Sequence, residues 1–362
     1  MNDNLFDRLF ELFQTSDTVN WGLAEEIVKS AAGPREPIEP QLAEEYQELA
    51  LAAQLQLSSA KVLDASAAVI PDPVDSAGWA IANFRSFSYL MEPLSRALGG
   101  ETTATSDPIG SMMGSFGSAL TGLQAGSMTA VISRRTMGQF DTILPSVNQS
   151  KAYLVVPNIE DFASSNKLDP RQVRLWATMH ELVRHAVLHL QATQDALSSA
   201  VAEFVATIDF DPSRLMNKLG EMRDPAGIEA MLGGQDGLTA LLGSEGEPAN
   251  AARLETLISF LNGYGDYIVN IAGEKLLPDI ASISTAYKNH RTASLPELEQ
   301  IQQSLFIDIT RSHPEDGESF CEEVSRRWGL ETLVHIWENT HHLPAPGELA
   351  DPVGWAARTL LD

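Results

Sequence analysis

The sequence carries one cysteine, Cys321, among 362 residues. No intrachain disulfide can form, and metal sites built on paired thiolates are excluded, which leaves His, Asp and Glu as candidate ligands. A lone thiol fits a reducing compartment, so a cytoplasmic location is expected. Positive charge is scarce as well: 24 Lys and Arg stand against 49 Asp and Glu, a formal net charge of −25. Nucleic acid and anionic membrane surfaces both need a basic footprint, so neither is an expected partner. A phosphate-cradling Gly loop, a dinucleotide fingerprint and a Gly-x-Ser-x-Gly elbow are missing. So are internal repeats, low-complexity tracts and a clear inter-domain linker.

What is present reads as helix. The N-terminal "MNDNLFDRLFELFQ" lacks the basic and continuous apolar regions of a signal peptide. Leu5, Phe6, Leu9, Phe10 and Phe13 fall at helical spacing and predict an amphipathic helix docked on the body of the protein. Residues 108–133 hold no charge and are long enough to cross a bilayer. About half of them are Gly, Ser, Thr or Gln, which argues for a buried central helix over a membrane span. Gly110, Gly114, Ser118, Gly122 and Gly126 recur every four positions and would let a second helix approach closely.

Further helices are expected over 39–58, 60–70, the whole of 75–100, 197–208, 213–223, 249–272, 274–290, 296–311, 315–328 and 329–338, with a short one bearing Trp355. A Gly-broken connection is expected near 226–248. The strand signal is Ala152–Val156, aromatic and β-branched, after a turn and before Pro157. Its expected partner is Thr142–Leu144, making a small β-hairpin ahead of a helix that Asp169 caps and Pro170 begins.

That helix carries "MHELVRHAVLHL". In a zinc-peptidase His-Glu-x-x-His motif, two histidines one turn apart hold the metal and the Glu activates the bound water. Here His180 and Glu181 stand at the first-ligand and base positions, and Arg184 stands where the second histidine belongs. A guanidinium offers no lone pair to zinc. His185 lies about 140° around the helix from His180, so it does not simply replace the missing ligand. Glu181, His185 and His189 share a stripe, and two of the three are spaced to chelate; the alternative is polar residues on a partly exposed face.

The elements around this helix resemble a known family. They are Gly138-Gln139-Phe140-Asp141, Pro157-Asn158, Leu168-Asp169-Pro170, Val173-Arg174-Leu175-Trp176, the later "LISFLNGYGDYIVNIAG", the upstream "VDSAGWAIANFRSF" and the closing "GLETLVHIWENTHHLPAPGELADPVGWAAR". In this order they are similar to the zincin-like metallopeptidase family of candidate hydrolases, found mainly in actinobacteria and often labelled with coenzyme F420 biosynthesis. The resemblance implies a mainly α, multi-helix zincin-like fold. It would comprise a helical segment over 1–73 and a zincin-like domain over 74–362, or one continuous domain over 1–362.

Carried over by position, His180 is the first ligand and Glu181 the catalytic base, while the second and third ligands fall on Arg184 and Asn262. Both departures strike metal ligands. The expected state is therefore an eroded zinc site with no cofactor, Arg184 filling the cavity and pairing with Glu181, and Asn262 accepting a hydrogen bond. A cleft lined by His180, Arg184, Asn262 and Tyr264 would be kept for an unidentified small molecule or peptide. The alternative is an active zinc-dependent hydrolase or peptidase using His180 and Glu181 with His185 or His189 as further ligands. A homo-oligomer is compatible with either.

Overall fold

The computed structural model describes residues 17–62, 69–99, 108–141, 151–206, 251–293 and 313–360. In chain order the elements are α1 (Trp21–Ala31), α2 (Pro40–Ser59), β1 (Asp72–Val74), α3 (Ser76–Asn83), α4 (Ser88–Gly99), α5 (Pro108–Ser133), β2 (Tyr153–Val155), α6 (Val156–Ser165), α7 (Pro170–Leu188), α8 (Gln191–Val205), α9 (Ala251–Gly273), α10 (Ile280–Thr292), α11 (Pro314–Trp328), α12 (Leu330–His335) and α13 (Pro352–Thr359). The fold is mainly α, as expected. Residues from Val19 to Ala356 join in one buried apolar cluster.

From Gly117 on, the uncharged helix α5 is largely buried, and its small residues explain how. A Cβ at Gly122 would fall on the Asn20 carbonyl, and one at Gly126 on the Ala24 carbonyl, so α1 lies directly on the small-residue stripe. Two threonine hydroxyls of α5 are satisfied within the helix, Thr121 donating to Gly117 O at 2.8 Å and Thr129 to Ala125 O at 2.7 Å, while Ser118 Oγ donates outward to Asp17 O at 2.9 Å. Among the described residues no helix is long and apolar enough to cross a membrane.

Two local expectations are corrected. The helix expected over 75–100 is two helices, broken at Phe84–Phe87. Asp75 caps the first by accepting from Gly78 N at 2.9 Å. The break follows from Asn83, whose amide donates to Trp79 O at 2.9 Å while its Oδ1 accepts from Ser86 Oγ at 2.7 Å, drawing the chain into a turn. The helix expected over 60–70 is absent from its described part: α2 stops at Ser59, Lys61 takes φ 58°, and the chain is extended by Asp72.

The strand signal is placed correctly at Tyr153–Val155, but its neighbours differ from a hairpin. On one side β1 pairs with it in parallel, with Pro73 opposite Leu154. On the other side Met137–Gln139 runs antiparallel, with Val155 N donating to Met137 O at 2.8 Å and Gln139 N to Tyr153 O at 2.9 Å. Thr142–Leu144 lies outside the described residues, as do the expected N-terminal helix, the helices at 213–223 and 296–311 and the connection at 226–248. Pro157 ends the strand and opens α6 at once, because its fixed φ and missing N–H suit a first helical turn.

Candidate functional site

Helix α7 begins where Asp169 accepts from Gln172 N at 2.9 Å and Pro170 occupies the first turn. Beyond that turn it becomes a central helix, with every residue from Trp176 to His185 buried. Helix α9 faces it, and Asn262 through Asp266 are buried as well. Two pairs one turn apart meet across the gap. His180 Nε2 lies 2.9 Å from Asp266 Oδ1, and Arg184 donates to Asn262 Oδ1 at 2.8 Å. Rising from 180 to 184 on α7 therefore matches descending from 266 to 262 on α9, so the helices run antiparallel here. Gly265 lies between the pairs, its Cβ position 3.3 Å from Arg184 Nε and 3.6 Å from His180 Cε1.

Arg184 is 2% exposed. Besides Asn262 it donates to Phe140 O at 2.8 Å, and Asp141 Oδ1 is 3.6 Å away. Asp141 in turn accepts from Met137 N at 2.9 Å and from the Tyr287 hydroxyl. The expected hydrogen bond to Asn262 is made, whereas the expected pairing with Glu181 is not. The Glu181 carboxylate instead accepts from Gln139 N and Phe140 N, each at 3.0 Å. Gly138 makes room for it, since a Cβ there would fall on Glu181 Oε2. The segment Gly138–Asp141 thus binds both ionisable side chains, Glu181 and Arg184.

Electrostatics follow from this burial. Removal from water pushes the Glu181 carboxyl up to about 8, with Asp141 adding to the rise and the two backbone donors opposing it. Burial, and then the nearby Arg184 charge, lower the His180 imidazole, which is neutral and donates from Nε2 to Asp266. Burial alone would raise Asp266. The Arg291 guanidinium, at 2.8 Å, and the His180 hydrogen bond outweigh it and hold this carboxyl well below the usual carboxylate range. Trp176 packs at 4.9 Å and Tyr287 at 5.2 Å from the His180 ring.

The remaining candidates go elsewhere. Tyr264 turns away into an aromatic cluster, 6.1 Å from Phe260 and 5.1 Å from Trp337 between ring centres. Gly263, beside Asn262, is where α11 crosses: a Cβ would fall on the backbone of Gly317 and Glu318. His185 and His189 stack on each other at 3.8 Å, both against the edge of Phe140. Burial, then His189, lower the His185 ring to about 4. Among the described residues no group of three or more His, Cys, Asp and Glu is arranged around a metal position.

Sequence reasoning missed Asp266, Arg291, Tyr287 and the role of Asp141. Asp266 had a usable signal, because it stands one turn from Asn262 on the same helix face. Asp141 sits in the Gly-Gln-Phe-Asp element. Arg291 and Tyr287 come from α10, and nothing local in their sequence points to this site.

Comparison with known proteins places this architecture. The sequence matches the family of zincin-like metallopeptidases over residues 19–356. Among solved structures it is similar to one from Chloroflexus aurantiacus, described as a "putative hydrolase with a novel fold", at 18% identity and a TM-score of 0.57, over 95% of this chain and 99% of that one. At that identity the likeness is one of fold. No curated protein matches the sequence. The antiparallel α7–α9 pair, the His180-Glu181 dipeptide and a family match over most of the sequence lead to one statement: the chain belongs to the zincin-like metallopeptidase family.

Proposed function

We propose that this chain keeps the scaffold of a zincin-like hydrolase, that Arg184 takes the place of the metal, and that its role is binding or scaffolding rather than zinc-dependent peptide hydrolysis. The observation that carries the reading is the buried Arg184 guanidinium, bonded to Phe140 O and Asn262 Oδ1 beside Asp141. The donor set does not suit Zn²⁺. Arg184 and Asn262 stand at two ligand positions, one without a lone pair and one with only an amide oxygen. His180 Nε2 is engaged by Asp266, which Arg291 already neutralises. Phe140 N donates to one Glu181 oxygen and Gln139 N, shared with Tyr153 O, to the other, so the carboxyl is held against Gly138–Phe140.

Metal analysis of full-length protein purified with zinc in excess tests this. No zinc bound through His180 is expected, and one tightly held zinc with His180 as a ligand overturns the reading. Restoring Arg184→His together with Asn262→Glu should raise zinc affinity. No gain would mean that Asp266 and Arg291 have rebuilt the cavity around His180.

One observation favours a second reading, that of an active hydrolase. A Glu181 carboxyl raised to about 8 exchanges its proton near neutral pH, as a general acid or base must. Hydrolysis of a denatured protein substrate that Glu181→Gln abolishes would support it.

A further inference from the structure

The stripe on α7 that does not enter the His180 site has chemistry of its own. All eight histidines of the sequence are described, and His185 and His189 are the pair spaced one helical turn apart on a single helix. Their rings lie 3.8 Å apart between centres, with planes inclined by 32°. His189 is exposed, at the C-terminal cap of α7. Its Nδ1 lies 2.9 Å from the His185 carbonyl oxygen. An oxygen acceptor there fixes the proton on Nδ1 and leaves Nε2 with a free lone pair. Metal-ligating histidines are set up in this way, the second nitrogen donating to a carbonyl so that the first is basic and oriented.

We propose that His185 and His189 form a two-histidine site for a borderline divalent transition-metal ion of the Ni²⁺, Cu²⁺ or Zn²⁺ class, completed by water and separate from the His180 position. Imidazole pairs suit these ions, whereas Mg²⁺ and Ca²⁺ want oxygen. Both nitrogens must converge to about 2.0–2.1 Å from the ion. Reaching that geometry requires the stacked rings to part, with the buried His185 ring turning outward toward exposed His189; the His185 nitrogens make no hydrogen bond among the described residues. Phe140 lies edge-on to both rings, 5.5 Å from His185 and 5.8 Å from His189, and limits how far either can swing. Glu181 shares the stripe but is not a ligand here, because its oxygens are bound at Gln139 and Phe140.

Titration of the untagged full-length protein with Ni²⁺, followed by calorimetry and by the histidine ring resonances, tests the site. Uptake of one ion per chain is expected, with the His185 and His189 resonances perturbed first. His189→Ala, at an exposed position, should abolish that uptake while the protein stays folded, as its helical circular dichroism checks. His180→Gln should leave it intact, which separates this site from the reading of the His180 position above. No uptake by the natural sequence overturns the proposal. So does uptake that survives His189→Ala, or uptake that is lost only when His341 and His342 are both replaced by Ala.

Discussion

Arg184 and Asn262 face each other across two antiparallel helices at 2.8 Å, one turn along from His180 and Asp266 at 2.9 Å. The two residues that the family resemblance aligns with zinc ligands are thus hydrogen-bond partners of one another. Replacing either alone leaves the other without its mate in a buried site.

Arg184→Met is accordingly expected to destabilise the fold by about 3–5 kcal/mol, the cost of breaking a buried charged network on one side. Chemical denaturation checks it. Arg184→Lys should recover little, since an ammonium cannot span Phe140 O and Asn262 Oδ1 as a planar fork does.

Glu181 makes stability depend on pH in a direction opposite to most carboxylates. Its folded pKa is raised from 4.5 to about 8. Below 4.5 both folded and unfolded states hold the proton. Between 4.5 and 8 the unfolded state gives it up while the folded state keeps it, so stability falls as pH rises, by at most about 1.4 kcal/mol per unit. Above 8 the contribution is lost and the dependence flattens. Glu181→Gln should remove this slope, so its melting temperature should gain on the natural protein's between pH 5 and 8, whatever the fixed offset between them.

Asp266 behaves in the usual sense. Its folded pKa is depressed, so the stability it brings is present above the ordinary carboxylate range and is lost as pH falls through the folded value. A double-mutant cycle between Asp266→Asn and Arg291→Gln should show a coupling of about 0.5–3 kcal/mol, read from denaturant midpoints at neutral pH. Coupling near zero would mean that the ion pair is not maintained in solution.

Gly263→Ala tests the α9–α11 crossing, where the added methyl would meet the Gly317–Glu318 backbone. A loss of about 1–3 kcal/mol is expected from forced separation of the helices. The same substitution at Gly354 should be milder, because there the obstacle is the Asp351 carboxylate, the movable end of a side chain.

Much of this was legible in the sequence. The Asp169-Pro170 start and the small-residue stripe of α5 are local patterns, and each marks a real contact; Arg184 and Asn262, singled out through the family resemblance, hydrogen-bond to each other. What could not be read was set by tertiary pairing. Three extended residues such as Asp72–Val74 carry no alternation to detect, and they become a strand only because Tyr153–Val155 lies beside them. Glu181 is likewise placed by the backbone of Gln139 and Phe140, and main-chain donors leave no signature in side-chain identity. Arg291 is invisible from α7 because its partner, Asp266, stands on a third helix.

The short strand Tyr153–Val155 has β1 on one flank and Met137–Gln139 on the other, where the Gln139 N–H is shared between Tyr153 O and Glu181 and the next amide, Phe140, turns to Glu181. A peptide therefore cannot lie down as an added strand beside Tyr153–Val155, reading main chain with main chain.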